Sequence, residues 1–237
     1  MKTRFAPSPT GYLHKGHIWS ALCVAVVAKA KNANIHLRLE DHDKLRCTQH
    51  FADEIKKDLE WLGFEWQSES VQSERDEIYE KYFKILQNQN LLYKVYKTDK
   101  PKIMFKDGDF AVKDAFGQWT YMFSVVVDDF EENMDLIVRG EDLADSLDKQ
   151  IMLAKIFGRT EMPQFFHHTL LYDANGKKLS KRDGSEGICR QREAGISAKK
   201  VISDLCKAAM PPGSEFPDEL SWNEAVEKTL LYHKFKV

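Results

Sequence analysis

Two hydrophobic patterns alternate through residues 2–40, and that alternation narrows the available folds more than any other feature of the chain. Lys2 to Phe5 reads as a short strand, and the Pro-rich turn Ala6-Pro7-Ser8-Pro9-Thr10-Gly11 redirects the backbone after it. Ile18 to Ala30 is apolar nearly all round, which predicts a helix covered on every side rather than an amphipathic surface helix. Ile35 to Glu40 alternates as a strand does and runs into the acids Glu40, Asp41 and Asp43. Strand, helix, strand in that order predicts a parallel pair joined by a right-handed crossover, hence an α/β fold on a Rossmann-like parallel sheet. The apolar stretch Trp19 to Ala30 is too short for a bilayer and lacks signal-peptide spacing, so no membrane partner and a cytoplasmic location are expected.

Further along, Phe51 to Leu62 and Ser73 to Asn90 carry the spacing of amphipathic helices, the second opening on a Ser-x-x-Asp cap. The pattern weakens over residues 94–118, as in an inserted lobe. Val125-Val126-Val127 and Leu136-Ile137-Val138 read as short buried strands. Asp148 to Phe157 reads as a helix stopped by Gly158, and His167 to Tyr172 as another strand. The His167-His168 pair is read as strand-end structure, and Trp61 and Trp66 as packing residues. Asn175-Gly176 signals a tight turn into the basic run Lys177 to Arg182. Helices at Ser197 to Met210 and Ser221 to His233, parted by Pro211-Pro212-Gly213, complete the chain. The expected division is residues 1–93 and 119–185 as two halves of one catalytic domain, 94–118 as a shortened lobe and 186–237 as a small helical region.

A formal net charge of −2 argues against broad, nonspecific nucleic-acid binding, while leaving room for a local basic face. The cysteines Cys23, Cys47, Cys189 and Cys206 form no Cys-x-x-Cys pair, so they read as reduced thiols rather than a disulfide framework or a zinc site.

His14-Lys15-Gly16-His17 falls where the first strand hands over to the buried helix, beside the usual ligand crevice of a parallel sheet. A helix N-terminus favours phosphate, and Gly16 permits close backbone approach. By itself, His-x-x-His there is equally compatible with capping or with a metal site. Lys178-Leu179-Ser180-Lys181-Arg182 concentrates cations after a tight turn, which suits a polyphosphate, although a lone Lys-rich run is more often a solvated loop.

Taken in order, Arg4 to Gly11 with Leu13, His14 and Gly16, then Arg38-x-Glu40-Asp41-x-Asp43, Val125 to Asp129, Arg139-Gly140-Glu141-Asp142 and Lys178 to Arg182 resemble the catalytic domain of class I glutamyl-tRNA synthetases over residues 2–185. That resemblance implies a ligase using ATP and Mg2+. It assigns His14, His17, Lys178 and Lys181 to catalysis, and Thr10, Gly16 and Leu179, with His14, His17 and Lys181, to ATP. It assigns Arg4, Phe5, Ala6, Pro7, Ser8, Glu40, Tyr121 and Arg139 to L-glutamate. The chemistry agrees, because a glutamate needs a cation for its side-chain carboxylate and an acid for its ammonium. Singly, each charged residue would be read as an ion pair and Tyr121 as core.

Residues 183–237 are too few for the long anticodon-binding region of those synthetases, so none is expected. Gly108 to Lys113, Gly117-x-Trp119-Thr120-Tyr121, Asp145-Ser146 and Gln150-Ile151 resemble the truncated glutamyl-queuosine tRNA(Asp) synthetases. That resemblance implies transfer of glutamate to queuosine in the anticodon of tRNA(Asp), by a protein expected to be a monomer. Where relatives carry a Cys-x-Cys knuckle, this chain has Leu92-Tyr93-Lys94-Val95-Tyr96-Lys97, so no zinc or other metal site is expected there. The alternatives are a glutamate-activating paralogue with another acceptor and a noncatalytic binding or regulatory paralogue.

Overall fold

The computed structural model describes residues 1–96, 101–172, 187–210 and 214–232. The Asn175-Gly176 turn, the Lys178 to Arg182 run and Pro211 to Gly213 lie outside the described residues.

β1 (Lys2–Phe5) leads through the Pro-rich turn into α1 (Lys15–Lys31), and β2 (Asn34–Leu39) returns parallel to β1 with Phe5 opposite Leu37. α2 (Gln49–Leu62) then crosses to β3 (Ser68–Val71), parallel to β2 on its other edge. After α3 (Asp76–Asn88) the chain builds an antiparallel meander of β4 (Leu92–Val95), β5 (Lys102–Phe105) and β6 (Phe110–Lys113). α4 (Tyr121–Glu131) re-enters the main body ahead of β7 (Leu136–Gly140). α5 (Leu147–Ile156) links β7 to β8 (Gln164–His168), which pairs parallel with it. β7 packs beside β1, fastened at its start where the Asp135 N–H donates to the Lys2 carbonyl at 2.9 Å. The parallel strands therefore lie in the spatial sequence β3, β2, β1, β7, β8, with a change of direction in strand order between β1 and β7.

α1 is covered on all sides because the sheet packs on one face and α7 (Ala198–Ala209) and α8 (Trp222–Tyr232) on the other. The short α6 (Ile188–Glu193) ties this layer to α2. No described helix is long and apolar enough to cross a membrane. A second core, centred on Phe105, Val112, Trp119 and Phe123, joins the meander to α3, α4 and α5.

Three sequence-based expectations change. Val125-Val126-Val127 is helical: the element runs from Tyr121 to Glu131, and α4 is buried on several faces at once, between the second core and a layer of charge. The strand preference of β-branched side chains is a weak bias that such burial overrides. Ser73 does not cap α3, because it lies in a 3-10 turn, Gln72–Glu74, that precedes the helix and leaves Arg75 at the N-cap position; its backbone N–H donates to Asp41 Oδ1 at 2.7 Å. The strand expected at His167 to Tyr172 ends at His168, where the His168 ring turns back to the Thr169 carbonyl. Trp66 stacks on Phe64 with ring centroids 6.2 Å apart, and both Trp61 and Trp66 pack against the main core.

Candidate active site

Where β1, β2 and β7 end, a cleft of about 470 Å3 opens, walled by Arg4 to Ser8, Thr10, His17, Glu40, Tyr121 and Arg139. The sheet itself creates this cleft, since a crevice opens beyond the carboxyl ends of parallel strands at the change of strand order. The Pro-rich turn is pinned over it: the Glu40 N–H donates to the Pro7 carbonyl at 3.0 Å, and the Thr48 N–H to the Pro9 carbonyl at 3.2 Å. Of α1, His17 and Ser20 reach the cleft wall, whereas His14 and Gly16, at the start of the helix, are not among the lining residues. Of the residues singled out from the sequence, Lys178, Leu179 and Lys181 lie outside the described residues.

His14 is the N-cap of α1, so the capping reading of the motif is present in its geometry. The Gly16 N–H donates to His14 Nδ1 at 3.1 Å, while the His14 N–H donates to His17 Nδ1 at 3.1 Å. The two rings lie 3.8 Å apart, centre to centre. A neutral imidazole that accepts at Nδ1 carries its proton at Nε2, so capping converts both rings into Nε2 donors. The helix N-terminus adds its own positive end at the same place.

Beneath the cleft lies a layer of buried charge that the motif reading did not resolve. Asp129 accepts from Arg4 Nε at 2.9 Å and from Arg38 Nη2 at 2.8 Å. Arg38, fully buried, also donates to Glu132 at 2.8 Å and lies 3.4 Å from Glu40. Asp128 accepts from Gln72, Arg75 and Tyr79, all within 3.0 Å. The signal existed in the sequence: His36, Arg38 and Glu40 alternate on one face of a strand, and the acids ending α4 sit where a helix terminus disfavours them, which calls for outside cations. Burial raises the Glu40 carboxyl above its ordinary range, opposed by Arg38 and Arg4. Burial also pushes the Tyr121 hydroxyl up to about 12, reinforced by Glu40.

Arg139 stands apart from this layer. Its Nε donates to His167 Nε2 at 3.1 Å and its Nη1 to Gln150 Oε1 at 2.6 Å, while Phe165 lies under the guanidinium at 5.3 Å. Its Nη2 is buried and, among the described residues, has no hydrogen-bond partner. His167, read from the sequence as strand-end structure, is thus also a support of the cleft; the β7–β8 register sets it directly opposite Arg139.

The arrangement offers a cation with an unfilled donor, a buried carboxylate and a helix N-terminus within one cleft, a combination suited to an amino acid joined to a phosphate compound. Among the described residues no cluster of three or more His, Cys, Asp or Glu forms a metal cage. Mg2+ is commonly carried on substrate phosphates with one or two carboxylates, and Asp43 along the cleft wall is an oxygen donor that fits that mode.

The family model described as tRNA synthetases class I (E and Q), catalytic domain, matches residues 1–104 and 100–234. The glutamate–tRNA ligase of Akkermansia muciniphila is 33% identical over 243 residues, covering 90% of this chain and 56% of that protein. Glutamate–tRNA ligase 1 of Sulfurimonas denitrificans is 29% identical over 272 residues, covering 90% of this chain and 59% of its own length. This chain therefore spans less than two thirds of either relative. The crystal structure of a glutamate tRNA ligase from Elizabethkingia meningosepticum in complex with its amino acid superposes with a TM-score of 0.80 at 23% identity, over 96% of this chain and 64% of that one, a likeness of fold. With the family match running almost end to end over a parallel sheet, the chain belongs to the class I tRNA synthetases of the glutamate and glutamine type, in the catalytic domain.

Proposed function

We propose that this protein uses ATP to activate L-glutamate as glutamyl-AMP and transfers the glutamyl group to the queuosine base in the anticodon of tRNA(Asp). The observation that carries the first half is the buried Arg139 Nη2, a charged donor that finds no hydrogen-bond partner among the described residues, in the same cleft as Glu40. A side-chain carboxylate completes Arg139, and an ammonium completes Glu40, so a glutamate spans the two with its α-carboxylate left for reaction. One oxygen of that carboxylate attacks the α-phosphorus of ATP; the new O–P bond forms as the bond to pyrophosphate breaks. The Nε2 donors of His14 and His17 and the cations of Lys178 and Lys181 offset the charge that develops, with Thr10, Gly16 and Leu179 holding the nucleotide. Mg2+ supplies further neutralisation of the phosphates. No side-chain nucleophile is needed.

Transfer requires an acceptor hydroxyl to attack the glutamyl carbonyl and release AMP, and a ring hydroxyl of queuosine is the acceptor proposed. Support comes from the patterns Gly108 to Lys113 and Gly117 to Tyr121 and from relatives named as glutamate–tRNA ligases, which make a tRNA the natural partner. Those names also favour the competing acceptor, the 3′ end of tRNA(Glu). The deciding experiment is ATP-dependent incorporation of labelled glutamate into matched tRNA(Asp) with and without queuosine, beside tRNA(Glu). Labelling confined to queuosine-bearing tRNA(Asp) is expected; labelling of tRNA(Glu) would give an aminoacylating enzyme instead. Glutamyl-AMP formed without labelling of any tRNA would mean another acceptor, and no glutamyl-AMP at all a noncatalytic paralogue. Lys181→Ala is expected to abolish most glutamyl-AMP formation, and full activity in that variant would remove the loop from the mechanism.

A further inference from the structure

The buried arginines around the cleft are held in two different ways. Arg4 and Arg38 each lie against carboxylates, Asp129 for both, with Glu40 and Glu132 also on Arg38. No carboxylate among the described residues comes within ion-pair distance of Arg139, whose side-chain hydrogen bonds go to a neutral amide and an imidazole, with the Tyr121 hydroxyl as a further uncharged neighbour. Both partners are themselves fixed: Gln150 is buried and directs its Nε2 to Met122 Sδ at 3.8 Å, which turns its oxygen to Arg139, and His167 sits opposite Arg139 in the strand register.

We infer that Gln150 and His167 are positioning residues that determine specificity for a carboxylate side chain, because they orient the Arg139 guanidinium through neutral acceptors and leave its whole charge to the ligand. The inference rests on the proposed glutamate site and extends it to residues that need not touch the substrate. The Nε donor of Arg139 requires His167 to accept at Nε2, so the ring must be neutral and protonated at Nδ1. Burial and the adjacent Arg139 cation both lower the His167 pKa, in keeping with that form. A carboxylate in place of either partner would hold the same geometry but neutralise the cation before glutamate arrives.

Isosteric substitutions separate charge from shape. In glutamate-dependent ATP–pyrophosphate exchange, Gln150→Glu is expected to raise KM for glutamate roughly ten- to a hundredfold, the usual worth of a hydrogen bond to a charged group, with kcat little changed. His167→Asp is expected to raise KM well above that of His167→Asn. A Gln150→Glu KM equal to the wild-type value, or a His167→Asp KM equal to that of His167→Asn, would overturn the inference. Calorimetric binding of glutamate without ATP keeps it apart from the proposed activity. Wild-type protein that forms no glutamyl-AMP, yet binds glutamate more tightly than Gln150→Glu, would remove the activity and retain the inference. Equal binding by the two proteins would sink the inference whatever the activity.

Discussion

Asp129 shows how one side chain serves both stability and site. It is buried between Arg4 and Arg38, and those two cations, outweighing the upward effect of burial, hold its carboxyl below the usual range. Glu132 behaves alike: burial would raise it, but the His36 and Ser70 hydrogen bonds and the Arg38 cation prevail and hold it well below the usual carboxylate range. Removing one member of such a cluster leaves buried charge uncompensated, so Asp129→Asn is expected to lower unfolding free energy by about 3 kcal/mol in urea denaturation at neutral pH. The sign of the pH dependence follows from linkage. A carboxyl whose folded pKa lies below its unfolded value contributes stability above the unfolded value and loses it as pH falls through the folded one. The gap between wild type and Asp129→Asn should therefore be full above about pH 4 and narrow at more acid pH. A gap that widens on acidification would contradict this account.

At the scale of elements, helix ends carry information that apolar runs do not. α2 is capped at its start by Thr48, whose Oγ1 accepts from the Phe51 N–H at 3.2 Å, and it stops at Gly63, which takes φ +84°. A Cβ at Gly63 would meet the Trp222 Cβ at 3.4 Å, so space is nearly adequate and the left-handed backbone decides the effect. Gly63→Ala is expected to cost about 1 kcal/mol, read as a lowered urea midpoint with an unchanged slope. α4 teaches the opposite lesson. Three consecutive valines read as a strand because their stiff side chains favour one, yet the element is long, buried on several faces and committed at its end to cations from β1 and β2. Those commitments lie more than ninety residues away along the chain, as from Asp129 to Arg38, where no local pattern reaches.

For the molecule as a whole, α1 links the parallel sheet to the C-terminal helices that cover it. It bears the sheet on one face, α7 and α8 on the other, and the paired histidines at its N-terminus. An all-round apolar helix needs that second cover. Trp222 on α8 supplies part of it, buried and edge-on to Phe64 at 5.5 Å, and Phe64 in turn packs edge-on against Phe5 of β1. Trp222→Ala is expected to destabilise the protein by about 3–5 kcal/mol, the range for large aromatic truncations in a core. Calorimetry would register this as a fall in Tm, and a Tm within a degree or so of wild type would show that α8 contributes little to the cover of α1.

The sequence by itself determined the parallel β1–α1–β2 unit, because period-two and all-round apolar patterns are local and were long enough to tell apart. Through the resemblance its motifs carry, it also marked the cleft residues Arg4 to Ser8, Thr10, His17, Glu40, Tyr121 and Arg139. Only the tertiary structure decided that α4 is a helix, that Asp129 and Arg38 underpin the cleft, and that Arg139 is held by Gln150 and His167. Those outcomes depend on which charges meet across the fold once water is excluded. Desolvation drives most buried donors and acceptors to find partners, and partner choice is a property of three-dimensional proximity rather than of any window along the chain.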